Sequence, residues 1–158
     1  MVFASGMFTL YVLPKFSKIQ NKKDFKTELF HIYKTILPIF GAGMLLVYLL
    51  RSYIIYYVYP GFDGMDPLFK WQLLGDFVRL AALTLGYQFL AKKLVKSFII
   101  TEIISIALFY IFSMVFIKQY QTEGIVIAHF VRYIIYFIIV AFFVRHYFNN
   151  PKPAPQNV

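Results

Sequence analysis

Four predominantly apolar runs, Thr35 to Val58, Leu68 to Ala91, Ser97 to Ile117 and Gly124 to His146, constrain this chain more than any other feature. A bilayer core about 30 Å thick needs roughly 20 apolar helical residues to cross it, and each run is long enough to cross once. In hydrocarbon, backbone amides find partners only within a helix or a closed barrel, and runs of this length predict helices. The remaining apolar stretch, Met1 to Leu13, is too short to cross alone and lacks the basic leader of a signal peptide. It reads as the end of a transmembrane helix that begins upstream.

Composition agrees with a membrane solvent. Of the 158 residues 60% are hydrophobic and only 15% charged, against about 25% in soluble domains. The absence of cysteine excludes structural disulfides, thiolate metal sites and cysteine nucleophiles. The net charge of +9 would suggest nucleic acid in a polar chain, but here the bases sit mainly in loops. Six lysines (Lys15, Lys18, Lys22, Lys23, Lys26, Lys34) precede the first run, three (Lys92, Lys93, Lys96) follow the second, and Arg145 and Lys152 end the chain, together eleven of the sixteen bases. The loop from Tyr59 to Pro67 instead holds Asp63 and Asp66 and no base. By the positive-inside rule the basic segments and the C-terminus are cytoplasmic, so runs one and three go outward and two and four return.

The expected organisation is therefore a helix end over 1–13, a cytoplasmic basic loop with an amphipathic helix over 14–34, a four-span bundle over 35–148, and a disordered cytoplasmic tail over 149–158 with three prolines. Between Asn21 and Lys34, Phe25, Leu29, Phe30, Ile32 and Tyr33 share most of one helical face, with lysines opposite, the pattern of an interfacial helix on an anionic leaflet. Tyr53, Tyr56, Tyr57 and Tyr59 fall at the expected outer interface, where amphipathic rings are favoured. Pro60, Gly61, Asp63 and Gly64 form a turn, Asp66 suits a helix cap, and Pro67 suits the first helical position.

An ionised side chain inside a span costs several kcal/mol, which makes each one a functional candidate. Arg51, Asp76, Arg79, Glu102, His129 and Arg132 qualify. At about 1.5 Å per residue, Arg51, Asp76 and Arg132 count to roughly 10–12 Å below the outer boundary and Arg79 to roughly 16 Å. Three arginines and one carboxylate in one layer predict a cationic site that attracts an anion. Asp76 and Arg79, three apart on one helix, also have the spacing of a mutual ion pair. His129 has both a packing role and a proton-carrying role open to it, and Glu102 can couple to a cation or reach interfacial water. Arg51 and Arg132 have no acid one turn away and need a partner from elsewhere. Lys70 and Lys118 lie near the outer face, where Lys70 can snorkel to the headgroups.

Enzyme signatures are nearly absent: there is no phosphate loop, nucleophile elbow, HExxH or histidine cluster, and neither metal nor cofactor is expected. Asp63 and Asp66 have the spacing to hold Mg²⁺ in a membrane transferase, although their context is that of a turn and a cap.

Three stretches in order carry a family resemblance: Leu13-Pro14-Lys15-Phe16-Ser17; Tyr48-Leu49-Leu50-Arg51 with Ile54-Ile55; and Leu74-Gly75-Asp76-Phe77 with Leu85-Gly86-Tyr87 and Leu90-Ala91-Lys92. They are similar to the C-terminal half of polysaccharide and O-antigen flippases of the multidrug, oligosaccharidyl-lipid and polysaccharide exporter superfamily, up to about Phe148. The resemblance implies an all-α polytopic transmembrane bundle, four full spans plus the end of a preceding helix, within a twelve-helix, two-lobed transporter. It implies a non-enzymatic function, moving undecaprenyl-diphosphate-linked oligosaccharide across the bacterial inner membrane, with the bilayer and an N-terminal lobe of the same protein as partners. It places Arg51 at the family's arginine and Asp76 in its glycine-aspartate motif. A complete four-span protein that assists transfer or flipping of prenyl-phosphate sugars, and a purely structural subunit, are the alternatives that the residues leave open.

Overall fold

A computed structural model describes residues 14–19, 21–59, 61 and 63–149. The expected helix end over 1–13 and the tail beyond Asn149 lie outside them. After a helical turn over 14–18, four helices follow: α1 (Lys22–Leu49), α2 (Arg51–Val58), α3 (Asp66–Ala91, entered through a 3-10 turn at Asp63–Met65) and α4 (Val95–Asn149). The described residues contain no strand, and α1, α3 and α4 are each long and apolar enough to cross a bilayer. The protein is an all-α polytopic membrane protein.

No boundary appears at Lys34, because nothing between the basic segment and the first apolar run breaks a helix. Asn21 precedes α1 in an extended conformation and Asp24 complements the dipole of the first turn. Pro38 sits inside the helix, where the missing amide leaves one carbonyl without its usual partner. The interruption comes instead at Leu50, so the first expected span consists of the outer part of α1 and the eight residues of α2.

At the start of α3 the residue flanking the helix is Met65, and Asp66 is the first helical residue rather than the cap. The 3-10 turn leads straight into the helix, which shifts the boundary by one residue. The Asp66 carboxylate is thereby free to make other contacts, and Pro67 remains in the first turn, where it costs nothing.

The 55 residues of α4 would extend about 80 Å if straight, far more than a bilayer. They do not, because Gln121 has φ 49° and ψ −128°, a non-helical conformation that reverses the chain. Residues 95–120 and 122–149 are two antiparallel arms: the Tyr136 hydroxyl donates to Glu102, 2.5 Å away, and the Phe109 and His129 rings lie 6.5 Å apart. Gly124 makes the reversal possible, since a Cβ there would collide with the Phe116 backbone carbonyl.

The core lies between α3 and the second arm of α4, where Ala82, Leu85 and Phe89 pack with Tyr133, Tyr136, Val140 and Val144. The basic segment closes one end of this core. Phe16, Phe25 and Ile32 are buried in it, with the Phe25 ring 5.0 Å from both Phe16 and Phe148. The apolar face of residues 21–34 is thus divided: Phe25 and Ile32 pack inward, whereas Phe30 stays 65% exposed. Lys15 pairs with Glu28 at 2.6 Å, Lys22 donates to Asn149 at 2.7 Å, and Lys92 donates to the Ile19 carbonyl. On the outside of the bundle Ile39, Leu45, Leu46, Leu49, Ile103, Ile106, Ile138 and Phe142 are exposed, a surface suited to hydrocarbon.

The 26 residues of α3 span about 39 Å, so its two ends fall on opposite membrane faces. Because the chain has no native cysteine, single replacements are cleanly readable. With a membrane-impermeant maleimide on intact cells, Gly64→Cys should label and Lys96→Cys should label only after permeabilisation; labelling of both from one side would refute the crossing.

Candidate functional site

The polar residues of the membrane region gather where α3 meets the second arm of α4. Gln72, Asp76 and Arg79 follow one another at helical spacing along α3, and His129, Arg132, Tyr133 and Tyr136 do so on the facing arm. Burial of Asp76, which is only 6% exposed, requires partners for its carboxylate. His129 Nε2 lies 3.3 Å from Oδ1, and Gln72 Nε2 donates to Oδ2 at 3.2 Å.

Gly75 is what lets the histidine come so close. A Cβ at residue 75 would lie 2.5 Å from the His129 ring and 3.3 Å from the Phe130 Cα, so any side chain there would push the arm away. The glycine-aspartate pair acts as a unit: one residue admits the partner and the next binds it. The His129 ring is held edge-on by Tyr133 at 4.9 Å.

Beside this pair, Tyr133 is flanked by two cations. The Arg132 guanidinium lies 4.2 Å from the ring centroid and also 4.9 Å from that of Phe109, and the Arg79 guanidinium lies 5.7 Å from the Tyr133 centroid. Cation–π contacts hold the guanidiniums without neutralising them. Among the described residues neither has a carboxylate within ion-pair distance, and the buried Arg132 Nε has no hydrogen-bond partner. Asp76 is committed to His129 and Gln72 rather than to Arg79, so the ion pair within α3 does not form.

Arg51 does not join the other two arginines. Its Nε donates to Asp66 Oδ1 at 2.6 Å, its Nη1 to the Tyr48 carbonyl at 3.0 Å, and its guanidinium lies 4.2 Å from the Tyr48 ring. Asp66 is thirteen residues before Arg79 on α3, about 20 Å along the axis, so the expected three-arginine layer is a layer of two. Backbone depth misled here because a long side chain reaches outward to a carboxylate at the helix start. Glu102 is likewise engaged, by the Tyr136 hydroxyl.

Asp66 is held in this ion pair, and the Asp63 side chain lies outside the described residues. Among the described residues there is no group of three or more His, Cys, Asp and Glu side chains placed to hold a metal. Tyr133, missed in the sequence, is the aromatic centre of the cluster. The available signal was its place immediately after Arg132 and one helical turn after His129. Trp71, whose indole donates to Glu123 at 2.8 Å, links α3 to the start of the returning arm and was also missed.

Comparison with known proteins bears on this arrangement. No protein-family profile matches the chain, and no solved structure matches it. Two curated relatives do, the lipid III flippases of Escherichia coli and Shigella flexneri, each 32% identical over 136 residues. The chain is similar to lipid III flippases. The match takes in 85% of the chain but 33% of each relative, so the chain spans about a third of their length.

Gly75 and Gly86 on α3 allow a paired test. A Cβ at Gly86 would meet nothing closer than the Tyr136 hydroxyl at 3.8 Å. Gly75→Ala should destabilise the protein by about 1–3 kcal/mol through overpacking, whereas Gly86→Ala should be neutral or stabilise it by up to about 1 kcal/mol through helix propensity. Thermal unfolding in detergent compares the two, and equal midpoints would contradict the close approach at Gly75.

Proposed function

We propose that this chain is part of a flippase for lipid-linked oligosaccharides of the multidrug, oligosaccharidyl-lipid and polysaccharide exporter type. Its substrate would be undecaprenyl-diphosphate-linked O-antigen or another polysaccharide repeat unit, carried across the bacterial inner membrane with no covalent chemistry. The observation that carries the reading is the pair of carboxylate-free guanidiniums on Tyr133 within the membrane region. The similarity to lipid III flippases, and the resemblance in the proline-lysine, arginine and glycine-aspartate stretches, support it.

In this reading Arg79 and Arg132 attract the diphosphate or acidic sugars. Guanidiniums suit that task because they stay charged and bind phosphate oxygens through two parallel hydrogen bonds. Stacking on Tyr133 places them in advance, so less side-chain freedom is lost when the anion arrives. The bond from Asp76 to His129 keeps the nearby carboxylate from competing with the substrate. The Asp76–His129 pair and Glu102 are the groups available for coupling to an ion. Arg51, held by Asp66, acts as a latch between the α1–α2 break and the start of α3, and the anion site rests on the other two arginines. The basic segment and the C-terminus lie in the cytoplasm. Since the chain spans a third of its relatives, it contributes one wall of the transport path and the N-terminal lobe contributes the other.

In the complete transporter, Arg79→Ala combined with Arg132→Ala should abolish complementation of a flippase-deficient strain at normal membrane abundance. The corresponding lysine variants should recover only part of the export, because an ammonium lacks the planar fork. Normal glycan export by the alanine double variant would remove the arginines from the mechanism. Arg51→Ala should instead lower the amount of folded protein.

A further inference from the structure

A second feature, on the other face of α3, is a cleft of about 400 Å³ between α1 and α3. Its walls run from Gly41 to Tyr48 on α1 and from Lys70 to Phe77 on α3, two helical turns or about 10 Å on each helix. At Gly41 a Cβ would make ordinary contact with the Phe77 ring at 3.7 Å, so a larger side chain there would extend into the cleft. Leu45 and Leu74, on the rims, are 60% and 42% exposed, so the cleft opens onto the hydrocarbon-facing surface.

The lining is apolar except at one end, where the Lys70 ammonium and Tyr48 lie. The charge at that end can be counted. Arg51, over the Tyr48 ring, is neutralised by Asp66 at 2.6 Å. Lys70 rests over the Trp71 ring at 5.1 Å and has no carboxylate among the described residues. One uncompensated positive charge remains. It sits four residues into α3, about 6 Å, where a lysine reaches headgroup level.

We infer that this cleft binds one anionic phospholipid, with an acyl chain between α1 and α3 and the phosphodiester on Lys70. Charge selects this occupant. A prenyl diphosphate brings more negative charge than one lysine balances, and the two-guanidinium site on Tyr133 suits it better. A chain in the cleft gains little over the same chain in the bilayer, which is equally apolar. Discrimination between lipids therefore comes from the lysine, and one base at a membrane surface favours an anionic lipid by about fivefold. The site uses neither Arg79 nor Arg132, so its failure and that of the transport reading are distinguishable.

The test uses the complete protein in phosphatidylcholine vesicles carrying traces of a photoreactive lipid with a diazirine in its acyl chain, as phosphatidylglycerol or as phosphatidylcholine. Adducts are mapped by mass spectrometry. Phosphatidylglycerol should label 41–48 and 70–77 about fivefold more than phosphatidylcholine does. Lys70→Gln should remove that difference, and Gly41→Phe, or Met44→Trp if the former does not fold, should remove cleft labelling by both lipids. Equal labelling by the two lipids, indifference to Lys70→Gln, or displacement of the label by polyprenyl diphosphate at levels where unlabelled phosphatidylglycerol has no effect would each overturn the inference.

Discussion

A polar group inside a bilayer has only the protein to bond with, and this requirement organises the contact between α3 and the second arm of α4. Asp76 is buried, so its carboxylate needs a partner within the protein, His129 supplies one, and Gly75 removes the side chain that would prevent the approach. The same contact then continues toward the C-terminal end of α3 as ordinary packing, from Ala82 through Leu85 to Phe89 against Tyr136, Val140 and Val144. Register along the whole interface follows from one acid–imidazole approach that tolerates little displacement.

Against that background, the two guanidiniums on Tyr133 stand out as an incomplete arrangement. Glu102, Asp66 and Asp76 each found a polar partner inside the protein, while among the described residues Arg79 and Arg132 have aromatic rings and no carboxylate. A stacked arginine retains its charge and its donors, so the local potential stays positive. Such a site is costly for a fold that merely needs to be stable, and useful for one that must hold an anion and release it.

Much of this could be read in advance, for reasons that differ between residues. Long apolar runs reveal helices because the bilayer offers so few alternatives, and the reversal at Gln121 falls in the polar gap, Lys118 to Glu123, that separates the third and fourth runs. The merging of the basic segment with the first span was not visible, because interfacial and spanning helices share the same backbone and differ only in surroundings. Arg51 was misplaced because depth was counted along the backbone, whereas the guanidinium reaches beyond its own turn. The choice of His129 over Arg79 as partner for Asp76 depends on how two helices are rotated against each other. No periodicity within one helix contains that angle.

The contact between Lys22 and Asn149 joins residues 127 apart in sequence. The path from the start of α1 through all the helices therefore returns to where it began, and the ends of the unit meet on one side. A connection made at either end leaves the helices between them undisturbed, as with a bead threaded by both ends at a single hole. Any motion of the unit as one body about these joined ends would carry the far loops the greatest distance.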